Sequence, residues 1–221
     1  MNFPQRLIDG YNAFAGGRLK TEQARYQELA ESGQSPEIMV IGCCDSRVAP
    51  EAIFDAGPGE LFVARNIANL VPPYTPDGAQ RAVSAALEFA VQALRVKHIV
   101  VLAHAQCGGI RAFAEEAAPL SPGDFIGRWI ELIAPAAKIV GPRGDRDLTE
   151  YLTALEKQTA ISTLDNLMTF PCIKILAERG KLKLHAAYFG VATGDLSVYD
   201  PEQKTFVGVG AHETPFKNPA F

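Results

Sequence analysis

Apolar and polar positions change period several times along this chain of 221 residues. Near the start, Leu7, Tyr11 and Phe14 stand at i, i+4 and i+7, the spacing of one helix face, so residues 4–15 are predicted helical. Residues 20–32 predict a second, more polar helix. The two make an arm, residues 1–33, ahead of the main body. Its apolar stripe suits either the chain's own sheet or a neighbouring subunit, and spacing favours neither.

Beyond the arm, short β-rich runs alternate with helical stretches. "EIMVIGC" (37–43), "ELFVAR" (60–65), "HIVVLAHA" (98–105) and "LKLHAAYF" (182–189) are near-continuous apolar runs, as expected of strands buried on both faces. Between the second and third, Val83, Leu87, Ala90, Val91 and Leu94 form a broad helical stripe. Further helices are expected over 124–139 and 147–169, and Pro171 can open a short one that stops at Gly180. "FGVATGDLSVYDPEQKTF" alternates and turns at Gly194–Asp195, which reads as an antiparallel hairpin at the sheet's edge. The expected fold is therefore α/β: a mainly parallel central sheet with flanking helices, an antiparallel C-terminal edge hairpin and an N-terminal helical arm. With no internal repeat and no linker rich in Pro, Gly or Ser, residues 1–221 are expected to form a single domain.

Composition narrows the function classes. A formal charge of -4, with Lys and Arg scattered, offers no basic field to attract a polyanion, so nucleic acid is not expected as a partner. No apolar segment approaches the roughly 20 residues that cross a bilayer. "MNFPQRLIDG" lacks the pattern of a secretory signal, and the expectation is a cytoplasmic protein with no membrane partner. Four cysteines at 43, 44, 107 and 172 are too few for a disulfide scaffold and are available as thiols.

Two predicted strands end at metal-ligand types: the first at Cys43, the third at His104, followed by Cys107 in "AHAQCGGI". In open parallel sheets ligands bind beyond the carboxyl ends of the strands, where these segments meet if the strands are neighbours. Cys, His and Cys suit zinc, and three protein ligands leave the fourth tetrahedral position for water. Cys44, Asp45 and Cys172 are the candidates to close that position instead. If the chain stays extended, alternation places Cys43, Asp45 and Arg47 on one face and Cys44 in the packing behind. Arg47 can then hold Asp45 ionised through a charge-assisted fork; a purely structural ion pair is the other reading. Gly108 and Gly109 permit a tight strand-to-helix turn, and backbone N–H groups there could also meet an oxyanion. His98, His185 and Cys172 read as core or surface residues.

Three segments carry a family pattern: "CCDSRV" (43–48), "GELFVARNIANLVPPY" (59–74) and "HIVVLAHAQCGGI" (98–110), with weaker similarity in "TLDNLMTFP" (163–171) and "LHAAYFGVATGDLSVYD" (184–200). In these the sequence resembles a β-class carbonic anhydrase of the plant-type branch. The resemblance implies zinc held by Cys43, His104 and Cys107, an Asp45 and Arg47 dyad, and reversible hydration of carbon dioxide to bicarbonate and a proton via zinc-bound hydroxide. It also implies a homo-oligomer, a dimer or an assembly of dimers, with the arm laid across the partner. Gln34, Phe62, Ile67 and Phe89 match substrate-site positions, and Gly108 is a candidate donor to the product oxygens. Phe89 stands where the plant-type pattern has Tyr, Ala103 where Gly is usual, and Cys44 where Ser is usual. Val40 occupies the position of the Trp that marks the bicarbonate-regulated branch, and only Arg65 matches that regulatory pocket, so no such regulation is expected. Hydrolysis of carbon disulfide or carbonyl sulfide on the same fold, a non-catalytic zinc-stabilised module and thiol redox chemistry are the alternatives.

Overall fold

The computed structural model describes residues 2–115 and 125–210. The arm is two helices, α1 (Gln5–Gly16) and α2 (Arg18–Ser32). Then come β1 (Ile38–Cys43), the short α3 (Pro50–Ile53), β2 (Leu61–Asn66), a 3₁₀ turn at Ile67–Asn69, and α4 (Ala82–Glu88), which runs on as a π-helical stretch through Phe89–Leu94. β3 (His98–His104), α5 (Gly108–Ala114), α6 (Ile126–Ile130), α7 (Ala134–Val140), α8 (Leu148–Leu167) and α9 (Pro171–Glu178) follow, and β4 (Lys183–Phe189), β5 (Leu196–Asp200) and β6 (Thr205–Val209) complete the order.

One six-stranded sheet runs β2-β1-β3-β4-β5-β6. Its first four strands are mutually parallel and the last two antiparallel, the mainly parallel sheet with an antiparallel edge that the sequence predicts. The turn at Gly194–Asp195 lies in the β4–β5 connection. A second turn, at 201–204 with Lys204 left-handed at φ 52°, adds β6 and makes the edge two hairpins long.

Strand alternation divides the core. Met39, Ile41, Ile99, Val101, Ala103 and Ala186 face the helices, where Leu87, Val91, Ala160, Leu167, Phe170 and Ile173 bury against them. A second cluster caps the carboxyl ends of the strands and gathers Cys43, Val48, Ala68, Cys107, Ile110, Ile133, Leu152 and Leu155. The opposite sheet face carries Val40, Leu102 and Ala187, with Ile38, Val100, Leu196 and Val198 only partly covered. Within one chain this face is therefore less enclosed than the continuous apolar runs predict.

Local chemistry explains the helix ends. Asp147 caps α8, accepting from the N–H groups of Thr149 at 2.7 Å and Glu150 at 3.3 Å, which satisfies donors with no partner inside the helix. α9 opens at Pro171, as expected, and ends two residues before Gly180, left-handed at φ 66°. The helix expected over 124–139 is instead α6, a 3₁₀ turn at Glu131–Ile133, and α7; residue 124 lies outside the described residues. Pro135, in the first turn of α7, lacks the N–H that a continuous helix would need there.

No residue of α1 or α2 is buried. The helices pack on each other through Phe14 and Tyr26, whose rings meet edge to face at 6.2 Å. They touch the body where Arg25 donates to the Pro58 carbonyl at 3.3 Å. Leu7 and Tyr11 stay 55% and 64% exposed, so the predicted stripe does not cover the chain's own sheet.

Candidate active site

β1 and β3 are hydrogen-bonded neighbours in a parallel register that sets Gly42 beside Leu102. Cys43 and His104 therefore emerge at the same end of the sheet, and the loop after β3 returns Cys107 to them before α5 begins. Gln106 makes that return in the left-handed region at φ 56°. The ligand atoms of Cys43, His104 and Cys107 all lie within 4.8 Å of one another and all three residues are buried. Among the described residues no other three His, Cys, Asp or Glu side chains converge in this way.

The state of these three groups fits a metal. His104 Nδ1 lies 2.9 Å from the Ala105 carbonyl. Donation there leaves Nε2 as a bare lone pair, and this buried nitrogen has no hydrogen-bond partner. An orphaned imidazole lone pair between two sulfurs is costly unless something occupies the space. The sulfurs of Cys43 and Cys107 are 3.9 Å apart. Hydrogen bonding from Cys107 lowers the Cys43 pKa despite burial, with smaller help from the N–H groups of Asp45 and Ala68. The same interaction and burial push Cys107 up. Burial is the largest single influence and works against charge on His104, but the Cys43 sulfur, the Ala105 carbonyl and Asp45 together raise the imidazole.

Backbone geometry supports Cys43 from β2. Ala68, left-handed at φ 60°, aims its N–H at the Cys43 sulfur, 3.4 Å away. The turn that holds it is closed by Asn66, whose side chain accepts from Leu70 N–H at 2.8 Å and donates to Leu70 O at 2.9 Å. Arg65 donates to the carbonyls of Cys43 at 2.8 Å and Asp45 at 2.7 Å. It thus ties the segment after β1 to its neighbour strand.

Asp45 and Arg47 meet as the spacing predicts, by a different route. The strand ends at Cys43, and the chain turns so that Val48 N–H donates to the Asp45 carbonyl at 3.2 Å. Arg47 then forks onto the carboxylate, Nε to Oδ1 at 2.9 Å and Nη2 to Oδ2 at 2.7 Å, while its backbone N–H adds a bond to Oδ1 at 3.0 Å. The guanidinium holds the carboxyl well below the usual carboxylate range, against a smaller opposing effect of burial. Cys44 is exposed rather than packed behind the site; it lines a surface groove with Arg65, Ile67 and Trp129. The turn after Cys43 replaces the extended alternation that would have buried it. Cys172 sits on α9 against the helix-side core, away from the other cysteines.

The remaining expected site residues fall into two groups. Ile67 adjoins Ala68, and Gly108 opens α5 directly after Cys107. A side chain at Gly108 would meet nothing within 4 Å, whereas a Cβ at Gly109 would come within 2.8 Å of Ile67 and 3.2 Å of Ala68. Gly109 is the glycine the packing requires. Phe62 and Phe89 pair with ring centroids 5.9 Å apart, but Phe62 lies beside Met39 while Cys43 lies beside Asn66. Four strand residues, about 13 Å at 3.3 Å each, separate that pair from the ligand end. Gln34 precedes β1 altogether and is exposed. His98 and His185 bond to each other at 3.0 Å on the open sheet face, remote from Cys43.

One residue escaped the sequence reading. Glu156 on α8 is only 2% exposed; its Oε1 accepts from Cys107 N–H and its Oε2 from the Tyr188 hydroxyl, each at 2.9 Å. Burial raises its pKa, opposed by these two bonds. The signal was available: Leu152, Glu156, Thr159, Thr163 and Leu167 share one helical face, and a carboxylate on a buried stripe needs partners.

Comparison with known proteins agrees with this architecture. The family profile described as carbonic anhydrase matches residues 38–196. The chain is 33% identical over 205 residues to beta carbonic anhydrase 3 of Arabidopsis thaliana, covering 91% of this chain and 78% of the relative. It is 34% identical over 206 residues to a carbonic anhydrase of Pseudomonas aeruginosa, covering 93% and 92%. The solved β-carbonic anhydrase CcaA superposes with a TM-score of 0.85 at 29% identity, over 94% of this chain and 92% of that one. One of two tetrameric β-carbonic anhydrases from Sordaria macrospora superposes with a TM-score of 0.76 at 29% identity, over 93% and 98%.

Proposed function

This chain belongs to the β-class carbonic anhydrase family, and we propose that its reversible hydration of carbon dioxide uses zinc held by Cys43, His104 and Cys107 beside an Asp45–Arg47 dyad. The observation that carries the reading is the buried, unpartnered Nε2 of His104 in the same cluster as the two cysteine sulfurs. Soft sulfur with imidazole suits zinc, and a three-residue set is that of a catalytic rather than a closed structural site. Cys44 and Cys172 lie outside the cluster and both oxygens of Asp45 are engaged by Arg47, which favours three ligands over four. Bound zinc supplies a Lewis acid that lowers the pKa of a coordinated water.

The chain's own groups order the rest. With Arg47 keeping it ionised, Asp45 is an acceptor only, so it takes the hydrogen bond of the reacting water and directs a lone pair toward the substrate carbon. Arg47 also donates to the Gln106 carbonyl at 3.0 Å, fixing the dyad to the segment that brings Cys107. Ile67 offers an apolar wall for carbon dioxide, and the space around Gly108 leaves its N–H approachable by a product oxygen.

Gln34, Phe62 and Phe89 join the substrate site only if a second copy supplies them, because in one chain they sit toward the other end of the sheet. The exposed stripe of α1 and the partly open sheet face support such a homo-oligomer. Among the described residues no helix is long and apolar enough to cross a membrane; a cytoplasmic location remains part of this proposal.

Zinc analysis with stopped-flow hydration tests the assignment. Wild-type protein is expected to bind one zinc per chain and turn over carbon dioxide; Cys43→Ser is expected to lose both, and Cys44→Ser neither. Full zinc retention in Cys43→Ser would defeat it.

A further inference from the structure

The reaction as proposed makes no use of Glu156, the buried acid nearest the ligands. Nothing in its packing calls for charge: Leu152 and Leu155 beside it are buried and apolar, and the Thr159 hydroxyl satisfies itself on the Leu155 carbonyl at 2.7 Å. No salt bridge among the described residues includes Glu156. Both of its oxygens are spent on two groups, the Cys107 amide and the Tyr188 hydroxyl.

Those bonds complete a fixed seat for the segment from Ala105 to Cys107. β4 holds Ala105, whose N–H donates to the Phe189 carbonyl at 2.9 Å. Arg47 holds the carbonyl of Gln106. α8 holds the amide of Cys107 through Glu156. Tyr188, one residue before Phe189 on the same strand, is itself clamped: Lys157 Nζ lies 4.9 Å from its ring centroid and the Phe206 ring meets it edge-on at 6.4 Å. The carboxylate therefore links α8, β4 and one of the three candidate ligands in a single chain of hydrogen bonds.

We propose that Glu156, braced by Tyr188, is a positioning residue that seats Cys107 by its amide and so presets the place of the Cys107 sulfur in the ligand triangle. The inference rests on Cys43, His104 and Cys107 being the metal ligands. Partners of this outer kind are worth about 10- to 100-fold in metal affinity.

The test compares Glu156→Met, which keeps volume and removes the acceptor, with Glu156→Gln, whose amide oxygen can still accept from Cys107. Tyr188→Phe and the remote core variant Leu167→Ala accompany them. Zinc affinity is measured by competition with a chromophoric chelator, and ligand geometry by the absorption bands of the cobalt(II)-loaded proteins. Glu156→Met is expected to bind zinc at least about tenfold more weakly with shifted cobalt bands. Glu156→Gln should stay within about threefold of wild type, and Tyr188→Phe should fall between them. Leu167→Ala should lower the melting temperature and move neither readout. Wild-type affinity and bands in Glu156→Met would overturn the proposal, as would an equal effect of Leu167→Ala. If Glu156→Met does not fold, Tyr188→Phe decides, and unchanged bands and affinity there overturn it. Failure of the wild-type protein to bind zinc with cobalt–thiolate bands would instead overturn the ligand assignment itself.

Discussion

Arg47 grips Asp45 at two points, Nε on Oδ1 and Nη2 on Oδ2, and with its remaining reach bonds the Gln106 carbonyl at 3.0 Å. One guanidinium thereby sets both the charge of an acid and its position relative to the loop that delivers Cys107.

Asp45→Asn is expected to retain zinc and lose about 10²- to 10⁴-fold in turnover, the range typical of a lost proton-handling group. Arg47→Lys keeps the charge without the planar fork and should fall between Asp45→Asn and wild type. Stopped-flow hydration with parallel zinc analysis checks both; wild-type kinetics in Asp45→Asn would remove Asp45 from the mechanism.

The same pair sets a pH dependence of stability. Because Arg47 depresses the folded carboxyl below the unfolded value of about 3.9, the pair's contribution is complete above that value. It is lost as pH falls through the lower folded one. Exposure of Arg47 limits this contribution to about 1 kcal/mol. The difference in urea midpoint between metal-free wild type and Asp45→Asn should thus stay constant between about pH 5 and 8 and shrink only in stronger acid. A difference that vanished near neutrality would contradict the ion pair.

Two adjacent glycines should respond oppositely to alanine. At Gly109 a new Cβ meets Ile67 Cγ2 at 2.8 Å and Ala68 Cβ at 3.2 Å, and Ala68 carries the N–H aimed at Cys43. Gly109→Ala is expected to destabilise by about 1–3 kcal/mol and to weaken zinc binding. Gly108→Ala, with open space around it, should be tolerated in both respects. Thermal unfolding and chelator competition distinguish the two, and equal tolerance would show that the 67–69 turn yields easily.

Exposed apolar residues on the arm predict an assembly effect. Leu7→Glu combined with Tyr11→Glu should shift the protein toward monomer in sedimentation velocity and reduce kcat/KM at least about tenfold, with zinc content unchanged. A monomer as active as wild type would mean that Gln34, Phe62 and Phe89 do not complete the site from a second copy.

Much of this molecule is set by local order along the chain. Apolar runs of strand length broken by helical stripes specify the mainly parallel sheet, because side-chain period alone tells a strand from an amphipathic helix. The cysteine that ends one run and the histidine that ends another were legible as ligand types at strand ends, but that their strands are hydrogen-bonded neighbours, the condition for their meeting, was decided by the fold. The Asp45–Arg47 pair was legible too, being two residues apart. Tertiary packing alone decided the rest. Whether the α1 stripe faces its own sheet depends on where the arm leaves the body, a long-range property that periodicity does not encode. The burial of Glu156 against Cys107 and Tyr188 joins residues 49 and 32 positions apart. The separation of Phe62 and Phe89 from Cys43 follows from register, because a strand converts each residue of offset into a fixed distance along the sheet.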